Sequence, residues 1–166
     1  MGGPTLYDDD ILLWSEQQAA AIRKLGTTAR NLPNELDIEN VAEEIESVGR
    51  SELAAVESYF ELVFVHLLKL LAEPEGASAR HWRAEISAFH SRARRRYSPS
   101  MRQRIDLDEI WSSARDQAML TYEGAQQQAV SALPAQCPIT LGDLIAERID
   151  SVALLDRLRS SPVRGS

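Results

Sequence analysis

From Tyr59 to Ala72 apolar side chains fall on almost every face that a helix would present. A helix that is apolar all round must be enclosed by other elements. The most apolar part, 62–72, is interrupted by His66 and Lys69 and is far shorter than the roughly 20 residues needed to cross a bilayer. The enclosing material is therefore protein, and no membrane partner is expected. Leu53, Val56, Phe60, Val63, Leu67 and Leu71 continue the helical spacing through this segment, so it reads as the central helix of a bundle.

The remaining segments supply its neighbours. A first helix is predicted over 8–25, with Ile11, Trp14, Gln18, Ala21, Ile22 and Leu25 inward and Gly26 as its stop. Residues 27–35 connect it to a second, which starts near Asp37 and carries Ile38, Val41, Ile45 and Val48 on its apolar side. The rhythm slips at Gly49, which predicts either a kink or two helices meeting there. Pro74 and Gly76 end this segment; a third helix spans 78–97, and Ser98-Pro99-Ser100 both stops it and starts the next. That helix runs to about Leu133 with a break near Asp106, and Thr140 caps a last short helix over 141–149, with a frayed tail beyond. No alternating β-branched run and no internal repeat is present. The expected fold is all-α, a single-domain helical bundle of four main helices plus short additional helices. Its expected span is 6–158, with 1–5 and 159–166 as flexible termini.

The single cysteine, Cys137, rules out an intrachain disulfide and points to a reducing, cytoplasmic setting. The N-terminal residues have neither the basic and apolar regions of a secretory signal nor a myristoylation pattern, since Leu6 stands where Ser or Thr is wanted. The net charge of -7 opposes indiscriminate binding to nucleic acid, but the charge is unevenly placed. Residues 35–61 hold nine carboxylates against the single cation Arg50, a net of -8, whereas 80–104 hold eight arginines against Glu85, a net of +7.

Several motifs together carry a resemblance: Tyr7-x-x-Asp10-x-x-x-Trp14; the run from Leu36-Asp37 through Glu43-Glu44-Ile45-Glu46-Ser47-Val48-Gly49-Arg50-Ser51-Glu52; His66-Leu67-Leu68-Lys69 before Pro74; Trp82; and Ser98-Pro99-Ser100. Over about residues 6–130 the chain resembles the bacterial helical family catalogued as domain of unknown function 29. The resemblance implies an all-helical bacterial cytoplasmic protein and brings no established activity. Two features depart from the family pattern: Leu70 where Trp is frequent, and His90 with Arg94-Arg95-Arg96 where a lone Arg in a less basic helix is expected.

Three chemistries compete with plain structural readings. Glu43 and Glu46 lie three apart on one helical face and are able to hold a metal or an arginine; a solvated acidic face with a structural ion pair is the simpler reading. His66 needs a partner in its apolar helix, and with Glu43 or Glu46 it is the candidate metal ligand. Neither Glu-x-x-His nor His-Glu-x-x-His is present, so no cofactor is called for. Arg92, Arg95 and Arg96, with Arg83 and the ring of Tyr97, form the candidate binding stripe. Trp14, Trp82 and Trp111 read as core, the glycines as helix punctuation, and Cys137 lacks a nucleophile signature. The reading that follows is an uncharacterised bacterial helical protein acting as a noncatalytic interaction or regulatory module, with a protein partner or a second copy of itself. The alternatives are a helical metal-dependent enzyme with a site around His66, and nucleic-acid contact through Arg80–Arg104, which is not favoured.

Overall fold

The computed structural model describes residues 5–161. Among these, eight α-helices and one 3-10 helix account for the regular structure, with no strand. The helices are α1 (Leu6–Asp9), α2 (Ile11–Thr28), α3 (Ile38–Ala72), α4 (Ala79–Arg96), α5 (Leu107–Thr121), α6 (Gly124–Ser131), α7 (Leu141–Ile145) and α8 (Ser151–Ser160); the 3-10 helix Pro99–Gln103 follows α4. The four longest, α2 to α5, are the four main helices. The chain falls into two compact units, one formed by residues up to Ala55 with Arg96–Ile105, the other by Val56–Arg95 with the chain from Asp106 onward.

In the first unit the expected helix over 8–25 is two helices. Asp10 caps the second, its carboxylate accepting from Leu13 N–H at 3.1 Å. The same carboxylate accepts from the Ser100 N–H at 2.8 Å and hydroxyl at 2.6 Å, tying residues ninety positions apart. Asp10 is buried, which alone would raise its pKa. The hydrogen bonds from Ser100 and Leu13 outweigh burial and hold it below the ordinary value.

Gly49 does not divide α3, which continues through it as one helix. The reason is a close helix crossing: a Cβ at Gly49 would meet the Ser15 hydroxyl and lie 3.0 Å from the Leu12 Cα. The buried faces follow from that crossing. On α2 they are Leu12, Ser15 and Ala19 rather than the predicted Ile11, Trp14, Gln18, Ala21, Ile22 and Leu25 set; on α3 Ala42 and Gly49 are buried while Val41 and Val48 are exposed. Small residues let two backbones approach, and a search for large apolar residues misses them. Gly26 likewise does not end α2, which runs two residues further; there a Cβ would press on Ile38.

In the second unit the C-terminal part of α3 is enclosed as expected. Val56, Phe60, Val63, Phe64, Leu67, Leu68 and Leu70 are buried with Ile86 and Ala93 of α4, Trp111, Ala114 and Ala118 of α5, Val130 of α6 and Leu144 of α7. Each large side chain so buried contributes about 1.5–3 kcal/mol. Trp111 packs edge-on against Phe64 with ring centroids 5.5 Å apart, and its Nε1–H donates to the Pro134 carbonyl at 3.0 Å. Asp106 caps α5 at the predicted break. The helix then stops at Thr121 instead of reaching Leu133, because Tyr122 (φ -112°, ψ 155°) and Glu123 (φ -130°, ψ 166°) are extended before α6 begins at Gly124. Residues 151–160, expected as frayed tail, form α8, capped by Asp150 and held by buried Leu154, Leu155 and Leu158. The expectation of flexible ends at 1–4 and 162–166 lies outside the described residues.

Gly49→Ala is expected to destabilise the protein by about 1–3 kcal/mol despite a better helix former, because the added methyl overpacks the crossing. In Gly142→Ala the new Cβ meets only ordinary contact, 3.5 Å from the Thr140 hydroxyl, and stability should rise by up to about 1 kcal/mol. Urea unfolding midpoints of the two variants check both signs.

Candidate functional site

The acidic residues singled out from the sequence are held by arginines. Arg23 of α2 donates from Nε to Glu39 at 2.9 Å and from Nη2 to Glu46 at 3.0 Å, with Glu43 at 3.6 Å. Arg50 pairs with Glu43 at 2.5 Å and stands 3.7 Å from Glu46. This is the plain ion-pair reading, enlarged to a network by Arg23, a partner that lies outside the acidic block. Such exposed pairs fix geometry more than they add stability.

Glu43 and Glu46 belong to the first unit and His66 to the second. Its Nδ1–H donates to the Leu62 carbonyl at 2.7 Å, one turn back, and its ring packs on Phe89 with centroids 5.3 Å apart. Burial lowers its pKa, and the Leu62 carbonyl only partly offsets this, so the ring is held neutral. Among the described residues no three His, Cys, Asp or Glu side chains gather as a metal site would require. Cys137 is also closed: burial pushes its thiol up to about 11, and Sγ–H donates to the Ile139 carbonyl. A thiol so protonated is a poor nucleophile.

The arginine block is divided. Arg96 pairs with Glu52 through two hydrogen bonds, at 2.7 and 2.9 Å, and Arg104 pairs with Glu16 at 2.8 Å. Arg92 lies over the Phe89 ring, 5.8 Å from its centroid. Arg80, Arg83, Arg92 and Arg95 are exposed on α4, and none makes an ion pair among the described residues. The predicted trio thus splits into Arg92 and Arg95, which face solvent, and Arg96, which is committed to Glu52.

Sequence reasoning singled out no site at a cleft of about 350 Å³ in the second unit, where Ser87, His90, Ser91 and Arg94 of α4 face Glu147 and Arg148. Arg94 Nη1–H donates to the Glu147 carbonyl at 2.9 Å, which closes one side. His90 is 4% exposed, and its Nε2 has no hydrogen-bond partner. Burial lowers its pKa, the Arg94 charge lowers it further, and a hydrogen bond to the Ala146 backbone opposes both. The only sequence signal was negative: His90 departs from the expected family pattern, and positions 87, 90, 91 and 94 share one side of a helix.

The family described as a domain of unknown function, DUF29, matches residues 6–149. The chain belongs to the DUF29 family. A crystal structure of an α-helical protein of unknown function from Rhodospirillum rubrum is similar to this DUF29 chain, with a TM-score of 0.82 and 30% sequence identity, covering 97% of this chain and 100% of that one. No curated protein matches the chain. Among the described residues no helix is long and apolar enough to cross a membrane.

Both histidines are neutral in the fold, so below their ordinary value of 6.5 the unfolded chain binds more protons than the folded one. Their contribution to stability is full above that pH and is lost as pH falls through the lowered values. His66→Leu should flatten this dependence, because no imidazole is then buried on α3. Unfolding midpoints in urea between neutrality and about pH 5 test it; a slope equal to that of the unsubstituted protein contradicts the assignment.

Proposed function

We propose that this DUF29 chain is a noncatalytic interaction module of the cytoplasm whose partner is a protein, either a second copy or a different chain. The observation that carries this reading is an exposed apolar stripe on α3. Val41 and Val48, two helical turns apart, are 38% and 42% exposed, with Ile45 half-buried between them. Leu25 and Leu36 add exposed apolar surface in the same unit. Apolar residues on one face with polar groups around them match the anatomy of a protein interface. The network of Arg23 on α2 with Glu39, Glu43, Glu46 and Arg50 on α3 supports a polar rim. The free arginines of α4 would steer an acidic partner and set the salt dependence of its association.

A metal-dependent reaction at His66 has little support, since its Nδ1 is engaged by the Leu62 carbonyl and no three His, Cys, Asp or Glu side chains gather among the described residues. Nucleic-acid contact through Arg80–Arg104 keeps only part of its charge, since Arg94, Arg96 and Arg104 have partners within the chain. Residues 6–158 are proposed to fold as one domain, because α3 passes unbroken from one unit into the other.

Val41→Glu with Val48→Glu tests the reading. Sedimentation of the purified protein and affinity recovery from its native lysate should show an assembly that the double variant loses, while the urea midpoint stays unchanged. An assembly that survives the two substitutions, or a monomer that recovers no protein, contradicts it. Binding to nucleic acid that weakens steeply with salt would instead assign the arginine face to that partner.

A further inference from the structure

We propose that the partner of the α3 stripe is a second copy of this chain, which presents the outer side of α4 to it. The inference rests on the reading of Val41 and Val48 as an interface and adds its occupant, which is identified by charge complementarity between two uncommitted surfaces.

On α3, positions 41, 44, 45 and 48 follow one another at helical spacing on one side, and position 37 precedes them in the same register. Val41, Glu44 and Val48 are exposed there, as is Asp37, and Ile45 is half-buried. The carboxylates that a partner meets are those the chain does not already hold. Glu39, Glu43 and Glu46 are held by Arg23 and Arg50, and Glu52 by Arg96. Glu35, Asp37 and Glu44 make no ion pair among the described residues. The surface around the two valines is therefore apolar with an uncompensated acidic edge.

The outer side of α4 has the opposite character. Ile86, His90 and Ala93 turn inward, which leaves positions 80, 84, 88, 92 and 95 on the outward side. Arg80, Arg92 and Arg95 are exposed there and make no ion pair among the described residues. Between them lie Ala84, exposed, and Ala88, half-buried. Side chains that end at Cβ let a second helix lie close along this side, with arginines at both ends of the contact. The stripe over 37–48 is about 17 Å long and that over 80–95 about 22 Å at the α-helical rise, so the two match in length.

Two copies that each carry a net charge of -7 repel at a distance. At physiological ionic strength this repulsion is screened beyond about 8 Å, so the charges that meet decide the contact. An α3 stripe against another α3 stripe sets carboxylates against carboxylates, and α4 against α4 sets arginines against arginines; like charges disfavour both. The contact is accordingly heterologous, α3 of one copy on α4 of the next. The valines and alanines supply the apolar contact, and the charges select which helix is met.

Two charge-reversed pairs test the proposal, Glu35→Lys with Glu44→Lys and Arg80→Glu with Arg95→Glu. All four side chains are exposed and without an ion pair among the described residues, so both variants should stay folded, with urea midpoints close to that of the unsubstituted chain. In sedimentation at physiological ionic strength the unsubstituted chain should exceed its 18.5 kDa monomer mass as concentration rises. Each variant alone should need a concentration at least about tenfold higher. An equimolar mixture of the two should recover the assembly, because the new lysines of one variant face the new glutamates of the other, and the native arginines of the first face the native carboxylates of the second. The neutral forms Glu44→Gln and Arg95→Gln, which ask less of the fold, should each weaken the assembly in the same direction. An unsubstituted chain that stays monomeric, a reversed pair that associates as the unsubstituted chain does, or a mixture that stays dissociated overturns the second-copy assignment. A monomer that recovers a different protein, and loses it with Val41→Glu and Val48→Glu, overturns this assignment alone and leaves the α3 stripe as an interface.

Discussion

The close crossing at Gly49 is the constraint from which the rest of the arrangement follows. Because α2 passes over a position with no side chain, the two backbones approach closely, and α3 continues as one helix from Ile38 to Ala72. Its first part turns Ala42 and Gly49 inward and leaves Val41 and Val48 outside. Its last part is enclosed on nearly every side.

Buried polar groups divide by whether the chain itself satisfies them. Asp10 receives hydrogen bonds from its own helix and from Ser100, and becomes a clasp within the first unit. His66 donates to the carbonyl one turn back and is closed by Phe89. Cys137 is held as a thiol by its surroundings. His90 differs, since its buried Nε2 has no hydrogen-bond partner.

The helical class, the enclosed segment after Tyr59, the role of Ser98-Pro99 and the break at Asp106 were legible because each rests on large apolar side chains or a strong local cap. The crossing at Gly49 was not, because its residues are small and leave no hydrophobic signal; glycine there reads as a break unless the partner helix is known. The α8 helix was hidden for another reason: its three buried leucines fall in a short charged segment whose helix depends on tertiary packing. Glu43, Glu46 and Arg50 were recognisable as an ion-pair set, but Arg23 comes from another helix and no spacing rule reaches it. His66 was correctly suspected of needing a partner. The cleft at His90 needed Arg148 to be placed opposite α4, a long-range fact that the sequence pattern does not contain.

The closed state of His66 is measured directly by long-range proton–nitrogen correlation of its imidazole. At neutral pH the ring should be neutral with the proton on Nδ1, facing the Leu62 carbonyl. A His66 ring protonated on Nε2 at neutral pH, or one that titrates at or above its ordinary value, would contradict it.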